Sequence, residues 1–430
     1  MTETTQELED TYLHVTPAME CLTPPDWSGA KWVGSIDLLS LGTHFRLQLQ
    51  GCDGYDRARL LVREGAAVRG FIDIDAPRGM VERSVFMSAV GLLPEAPAAH
   101  TAVSTPSITV IVCTRDRHSL LREALGAILR LDYPNFDVVV VDNAALTPAT
   151  REMVRHEFPD PRVRLIVEPI PGLAQARNAG LRRARGDIVA FTDDDTVVDE
   201  AWLSEIAAGF ERDPDAACVS GLVPSGELRS RTQAYFDSRV SWSKNLEPRV
   251  FSLAAPPDDV PMFPFTSGAF STGANFALNR RTALSMGGFD TAFGAGTRTG
   301  GAEDIDMFTR IILEGHSLVI QPSAVVWHRH RDDFAELRSQ ASAYGNGLGA
   351  WITKVLMNPR TARMALVRSP YAVRRLFSLG RPHQQLGHSG KQPDQWDRGI
   401  ARLGRLELIS VVRGPINYFL QRLSGEGVIR

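Results

Sequence analysis

The stretch DIVAFTDDD, residues 187–195, runs from an apolar segment, Ile188 to Phe191, straight into three consecutive aspartates. Clustered carboxylates repel one another at close range. A fold that sets Asp193, Asp194 and Asp195 at the end of a buried strand therefore calls for a cation to offset that repulsion. A divalent metal and a phosphorylated ligand are the first expectation. The competing reading is a solvated turn whose aspartates cap a helix beginning near Glu200.

Outward from this stretch the same unit repeats. ITVIVC (108–113) precedes the helix-like SLLREALGAILR (119–130), DVVVVD (137–142) precedes a helical stretch near residues 150–158, and VRLIVE (163–168) precedes one around residues 172–185. Continuous apolar runs fit strands covered on both faces, and their alternation with amphipathic segments predicts a parallel α/β sheet with helical crossovers. Ligands of such sheets bind beyond the carboxyl ends of the strands. Thr114, Arg115, Asp142 and the aspartate triplet all fall there.

Downstream, GAEDIDMFTRIILEG (301–315) opens a helix-like segment with Glu303 and Asp304, and Ile305, Phe308, Ile311 and Ile312 share its apolar face. Carboxylates at a helix N-terminus are favoured by the dipole alone. The preceding glycine-rich GAGTRTGG (294–301) suggests a loop able to close over a ligand, with a general base at its edge. Between the two acidic clusters, Ser271, Thr272, Gly273 and Ala274 are small enough for close backbone approach. After them, VIQPSAVVWHRH carries His328 and His330 at i, i+2, spaced to face one side of a strand, and histidine is a common metal ligand.

The chain has 430 residues, 43% hydrophobic and 23% charged, which excludes wholesale disorder and allows several domains. A formal net charge of -3 argues against nucleic acid as a partner. The 4 cysteines show no C-x-x-C spacing, so neither a disulfide framework nor a zinc site is expected and a cytoplasmic location fits best. The first residues, MTETTQELED, lack the pattern of a secretory signal, and no run reaches the roughly 18 apolar residues of a spanning helix. Composition divides the chain into a β-rich module (1–92), a Pro/Ala/Ser/Thr linker (93–107), an α/β domain (108–335) and a helical region (336–430). That last region has 15 Lys and Arg against 5 Asp and Glu. Basic amphipathic segments such as 372–379 and 406–423 suit either an anionic membrane surface or a helical appendage packed on the main domain.

The order of motifs resembles the family 2 glycosyltransferases, inverting enzymes of the GT-A fold. ITVIVCTRDR, VVVVDN (138–143), PGLAQARNAGLRRARGDIVAFTDDD (171–195), GGFD (287–290), GAEDIDMFTRIILEG and WHRH (327–330) carry it over residues 107–330. The resemblance implies a GT-A (Rossmann-like, mainly parallel) catalytic domain and transfer of a sugar from a nucleotide-diphosphate donor, by family habit a UDP-sugar, to an acceptor hydroxyl. It places Thr114, Arg115, Asp142, Arg177, Asn178, Asp193 and Asp194 at the donor, with Asp194 less directly involved. Asp195, Asp193 and His328 fall at Mg²⁺ or Mn²⁺, and Asp304, beside Glu303, becomes the catalytic base. The acceptor could be a glycan, a lipid-linked saccharide or a small metabolite. Two alternatives stand beside it: a nucleotidyltransferase, disfavoured because CTRDRHS lacks the glycines of a phosphate loop, and an inactive nucleotide-sugar-binding module.

Overall fold

A computed structural model describes residues 12–21, 23–25, 27–98, 102–266, 268–270, 272–379 and 395–424. The acidic stretch 1–10, Ser271, the middle of the linker (99–101) and residues 380–394 lie outside the described residues, as do the side chains of 372–379.

Among the described residues a nine-stranded sheet forms the centre. Four strands, β9 (Val163–Glu168), β8 (Phe136–Asn143), β7 (Ile108–Thr114) and β10 (Ile188–Asp193), lie side by side and parallel, as the alternating pattern predicts. In β7, β8 and β10 the apolar runs are buried on both faces. β9, the strand at the sheet edge, is only half-buried and leaves Val167 exposed, against the expectation of a strand covered on both sides. Ile111, Val139, Val141, Val189 and Phe191 belong to one core, while Val110, Val112, Val138, Val140 and Ala190 belong to the other. The crossover helices are α2 (His118–Leu129), α3 (Ala149–Glu157) and α4 (Leu173–Arg183). In α2, Leu121, Leu125 and Ile128 recur at helical spacing and seal the second core.

Beyond β10 the sheet changes direction. β14 (Asn275–Asn279) runs antiparallel to both β10 and β12 (Ala216–Leu222), and β15 (Ser317–His328) then runs parallel to β12. Two short strands, β11 (Thr196–Val198) and β13 (Arg249–Phe251), pair antiparallel with β15. The sheet is thus mixed, with its parallel half where the sequence pattern is regular. Helix α5 (Trp202–Glu211) starts two residues later than the sequence suggests, with Glu200 ahead of it. Helices α6 (Arg231–Arg239), α7 (Arg280–Ser285) and α8 (Glu303–Leu313) complete this region.

The N-terminal strands β1 (Tyr12–Val15) to β6 (Met80–Glu82) form two three-stranded sheets, β1-β3-β6 and β2-β4-β5, where β2 is Trp32–Asp37, β3 Arg46–Leu49, β4 Arg57–Glu64 and β5 Ala67–Asp75. Helix α1 (Arg83–Val90) closes their core with Phe86 and Val90. A second cluster joins Met19, Val33, Leu61 and Val68 to Leu222, Val325 and Trp327, so this module packs on the β12–β15 edge of the large sheet. Arg63 reinforces the seam with Asp199 at 2.8 Å, and Arg59 reaches Asp237 of α6.

The helical expectation for the C-terminal region is met by α9 (Phe334–Met357), α10 (Pro359–Leu379) and α11 (Gln395–Leu423). Glycines let α9 and α11 cross closely: a Cβ on Gly349 would sit 2.0 Å from the Val411 carbonyl oxygen, and one on Gly414 2.5 Å from the Ala350 nitrogen.

Candidate active site

The carboxyl ends of β7, β8 and β10 lie in register, Thr114 opposite Asp142 and Cys113 opposite Asp193, so their terminal side chains share one edge. Because β14 runs antiparallel to β10, with Asn275 opposite Thr192, the segment before it arrives at that same edge and carries Gly273 there. On the other flank β11 pairs Thr196 with His328, which sets the last residue of β15 beside Asp195.

The first carboxylate cluster follows. His328 Nε2 lies 3.2 Å from Asp195, and one ligand atom from each of Asp193, Asp195 and His328 falls within 4.8 Å of the others. Burial pushes the Asp193 carboxyl up, and Asp195 adds to the shift while Arg177 opposes it. Burial also opposes ionisation of Asp195, but His328 and Arg117 outweigh it and hold that carboxyl well below the usual range. For His328, burial favours the neutral ring and Asp195 outweighs it, raising the pKa. Two carboxylates and an imidazole converging on one point are a donor set suited to a hard divalent cation, so the residues present fit Mg²⁺ or Mn²⁺.

Asp194 points away from this set. Its carboxylate accepts from the Thr114 hydroxyl at 2.6 Å and pairs with Arg117 Nη1, and burial, then Asp195, pushes its pKa up to about 7. Arg117 Nη2 also reaches Asp195 at 2.7 Å. The sequence reading passes over Arg117, whose role depends on the loop after β7 folding across to the triplet 77 positions on.

The second cluster meets the first through Arg177. Its buried guanidinium donates to Glu303 Oε1 at 2.9 Å and to the Gly273 carbonyl at 2.8 Å, and lies 3.4 Å from Asp193. It sits over the rings of Phe191, Phe276 and Phe289, which favour a cation at their faces. Burial and then Asp304 push Glu303 up to about 7, against the pull of Arg177. Asp304 Oδ2 accepts from the Gly273 amide at 2.7 Å, and Oδ1 accepts from the Ile305 amide at 2.8 Å. A Cβ on Gly273 would meet Arg177 at 2.9 Å and Asp304 at 3.1 Å, so a larger residue there would displace one or both of these side chains. Burial raises the pKa of Tyr344, on α9, and Asp304, Asp193 and Glu303 add to the shift.

Asp142 is buried, its carboxylate oxygens accept no hydrogen bond, and Arg151 stands 3.4 Å away. Burial raises its pKa, with Arg151 opposing the shift. Arg115 is exposed beside it. Asn178 is engaged elsewhere: it donates to the Phe289 carbonyl and accepts the Phe289 amide, both at 2.8 Å, clamping the GGFD turn to α4. His330 lies past the end of β15, buried, its ring 4.7 Å from that of His328 and 4.6 Å from Phe236, with neither ring nitrogen hydrogen-bonded.

Residues 109–282 match the family model described as glycosyl transferase family 2. The chain is 26% identical over 290 residues to the pre-mycofactocin glycosyltransferase of Mycobacterium tuberculosis (strain H37Rv), covering 66% of this chain and 56% of that protein. It is 36% identical over 131 residues to the uncharacterized protein y4gI of Sinorhizobium fredii, covering 29% of this chain and 14% of that protein. The chain therefore spans little more than half the length of one curated relative and a small part of the other. A mannosyltransferase from Pyrobaculum calidifontis, solved in complex with GDP-Man and Mn²⁺, superposes with a TM-score of 0.49 at 22% identity, over 76% of this chain and 92% of that one.

Proposed function

We propose that this chain, which carries a family 2 glycosyltransferase domain over residues 109–282, moves a sugar from a nucleotide-diphosphate donor to an acceptor hydroxyl with inversion at the anomeric carbon. The observation that carries this reading is the pairing of an Asp193–Asp195–His328 donor set with a separate carboxylate, Asp304, bridged by Arg177 and Gly273 at one sheet edge. Thr114, Arg115 and Asp142 line the neighbouring strand ends, where the nucleoside of the donor binds in this reading, a UDP-sugar being the family default. When bound by Asp195, Asp193 and His328, Mg²⁺ or Mn²⁺ supplies positive charge to the departing diphosphate.

The protein's own groups do the rest. Asp304, held by two backbone amides, takes the proton of the acceptor hydroxyl as its oxygen attacks the anomeric carbon from the face opposite the diphosphate. One displacement inverts the configuration without a covalent sugar–enzyme intermediate. Glu303 stays paired with Arg177 and positions the start of α8. The acceptor in this reading is a glycan, a lipid-linked saccharide or a small metabolite, and peripheral contact with a membrane through residues 336–430 belongs to the same proposal. No described helix is long and apolar enough to cross a membrane.

The test is incubation of the full chain with a panel of nucleotide sugars, Mn²⁺ and candidate acceptors. Release of nucleoside diphosphate is expected. Release of pyrophosphate would indicate a nucleotidyltransferase instead, and donor binding without turnover a binding module.

A further inference from the structure

Helix α11 buries one side and leaves the other bare. Leu408, Val412, Ile416, Phe419 and Leu423 recur at intervals of three and four residues and all are exposed, Val412 at 72% and Leu423 at 82%. At 100° per residue these five positions fall within one narrow arc, so they form a continuous apolar stripe along the last four turns. Exposed Arg402, Arg405 and Arg413 lie within or beside the same arc. Among the described side chains of α11 the acidic one, Glu407, is turned inward, 2.8 Å from Arg239.

The inner side is committed to the catalytic region. Arg422 reaches Asp290 of the GGFD turn at 2.8 Å, Gln421 Oε1 accepts the Arg298 amide of the glycine-rich loop at 3.0 Å, and the Tyr418 ring lies 5.6 Å from Phe293. A helix that braces the loop leading to Glu303 and Asp304 thus presents a large apolar face to solvent, larger than a surface helix of an isolated protein normally leaves uncovered.

We propose that this outer face of α11 docks on an anionic lipid bilayer, with the apolar stripe entering the acyl boundary and Arg402, Arg405 and Arg413 meeting the headgroups. Charge decides between occupants. A second copy packed across a two-fold axis would bring Arg413, near the middle of the stripe, against its own counterpart, and no acidic side chain described on this face would compensate. An anionic headgroup layer complements every charge described on the stripe and accepts the apolar residues. For its meaning in the reaction, the inference rests on the glycosyltransferase reading above and deepens its membrane contact.

The experiment is co-sedimentation of the full chain, without donor, with vesicles of phosphatidylcholine alone and of phosphatidylcholine mixed with phosphatidylglycerol. The parental chain is expected to pellet with the anionic vesicles, less so at high salt, and to stay largely in solution with the neutral ones. The Val412→Glu/Ile416→Glu variant changes only exposed positions, so it should keep the parental melting temperature and lose binding by at least about tenfold. The Arg402→Gln/Arg405→Gln/Arg413→Gln variant should lose the preference for anionic lipid. Equal pelleting of parental and glutamate variants would overturn the proposal. So would a concentration-dependent dimer, seen by light scattering and abolished by the glutamates, in a chain that ignores vesicles. Because no sugar transfer is read, binding without turnover would leave the docking face standing while the proposed reaction failed.

Discussion

Replacing Asp304 with Asn separates the proposed base from the frame that holds it. The two side chains are nearly isosteric, and the Asn carbonyl oxygen can still accept the Gly273 amide that Asp304 Oδ2 accepts at 2.7 Å. What is lost structurally is the acceptor facing the Ile305 amide, now opposed by an NH₂ group. One hydrogen bond at a partly exposed site is worth about 1 kcal/mol, so the fold should survive with a melting temperature a few degrees lower. The effect on transfer is much larger, because an amide cannot take a proton. Loss of a positioned base costs about 10²–10⁴ in rate, or roughly 3–5 kcal/mol of transition-state stabilisation. Donor affinity, which in this reading rests on the Asp195 side of the site, should change little. Calorimetric titration with donor and Mn²⁺, paired with nucleoside diphosphate release, measures both quantities. Transfer at the parental rate by the Asn variant would refute the assignment of Asp304.

Three further outcomes follow from the same geometry. Asp195→Asn removes a member of the converging donor set and should weaken donor binding in Mn²⁺ to the level the parental chain shows with EDTA; parental affinity in Mn²⁺ would contradict a metal role for Asp195. Gly273→Ala forces a methyl group to within 2.9 Å of Arg177 and 3.1 Å of Asp304, so turnover should fall roughly ten- to a hundredfold. An unchanged turnover number would mean that the bridge between the clusters is not used. In the N-terminal module, burial works against ionisation of Asp73, while Arg59 and Lys31 outweigh it and hold the carboxyl down to about 2. A depressed folded-state value means that the stabilisation is complete above the ordinary carboxylate range, near pH 4, and disappears as pH falls through about 2. Melting curves of parental and Asp73→Asn chains should therefore differ at about pH 6 and converge at about pH 2.

Much of the α/β region was legible because its signals are local. The parallel strands β7, β8 and β10 announce themselves as unbroken apolar runs, since a strand covered on both faces has no polar side to show, and β7, β8 and β9 are each followed by a helical segment. Asp193, Asp195, Glu303, Asp304 and His328 stand out for the opposite reason: charged or ligating groups directly abutting apolar elements. Arg117 and Gly273 carry no such mark. Arg117 gains its place only when the loop after β7 crosses to the triplet, and Gly273, marked in the sequence only as small, acquires definite partners when an antiparallel β14 delivers its preceding turn beside β10. Asn178 shows the converse, since a residue in the middle of a conspicuous motif spends both ends of its amide on the backbone of Phe289.

The role of the N-terminal strands was the least visible in the sequence, because the residues that matter there are ordinary core residues. Met19, Val33, Leu61 and Val68 look no different from the apolar positions facing the module's own interior, yet they meet Leu222, Val325 and Trp327 of the large sheet. That contact bears on the chemistry through geometry. β15 ends at His328, which pairs with Thr196 of the three-residue strand β11 on one side and bridges Ser225 on the other, where the Gly226 amide donates to its carbonyl at 2.8 Å and its own amide donates to the Pro224 carbonyl at 3.0 Å. Trp327 packs under the module, while Arg329, two residues on, donates to the Glu20 carbonyl of the N-terminal segment at 2.9 Å and to Glu123 of α2 at 2.8 Å. His328 is thus held between two anchored neighbours. The module's contacts thus flank the strand end that carries the imidazole, so its removal should loosen the Asp195–His328 pair without touching an acidic residue of the site.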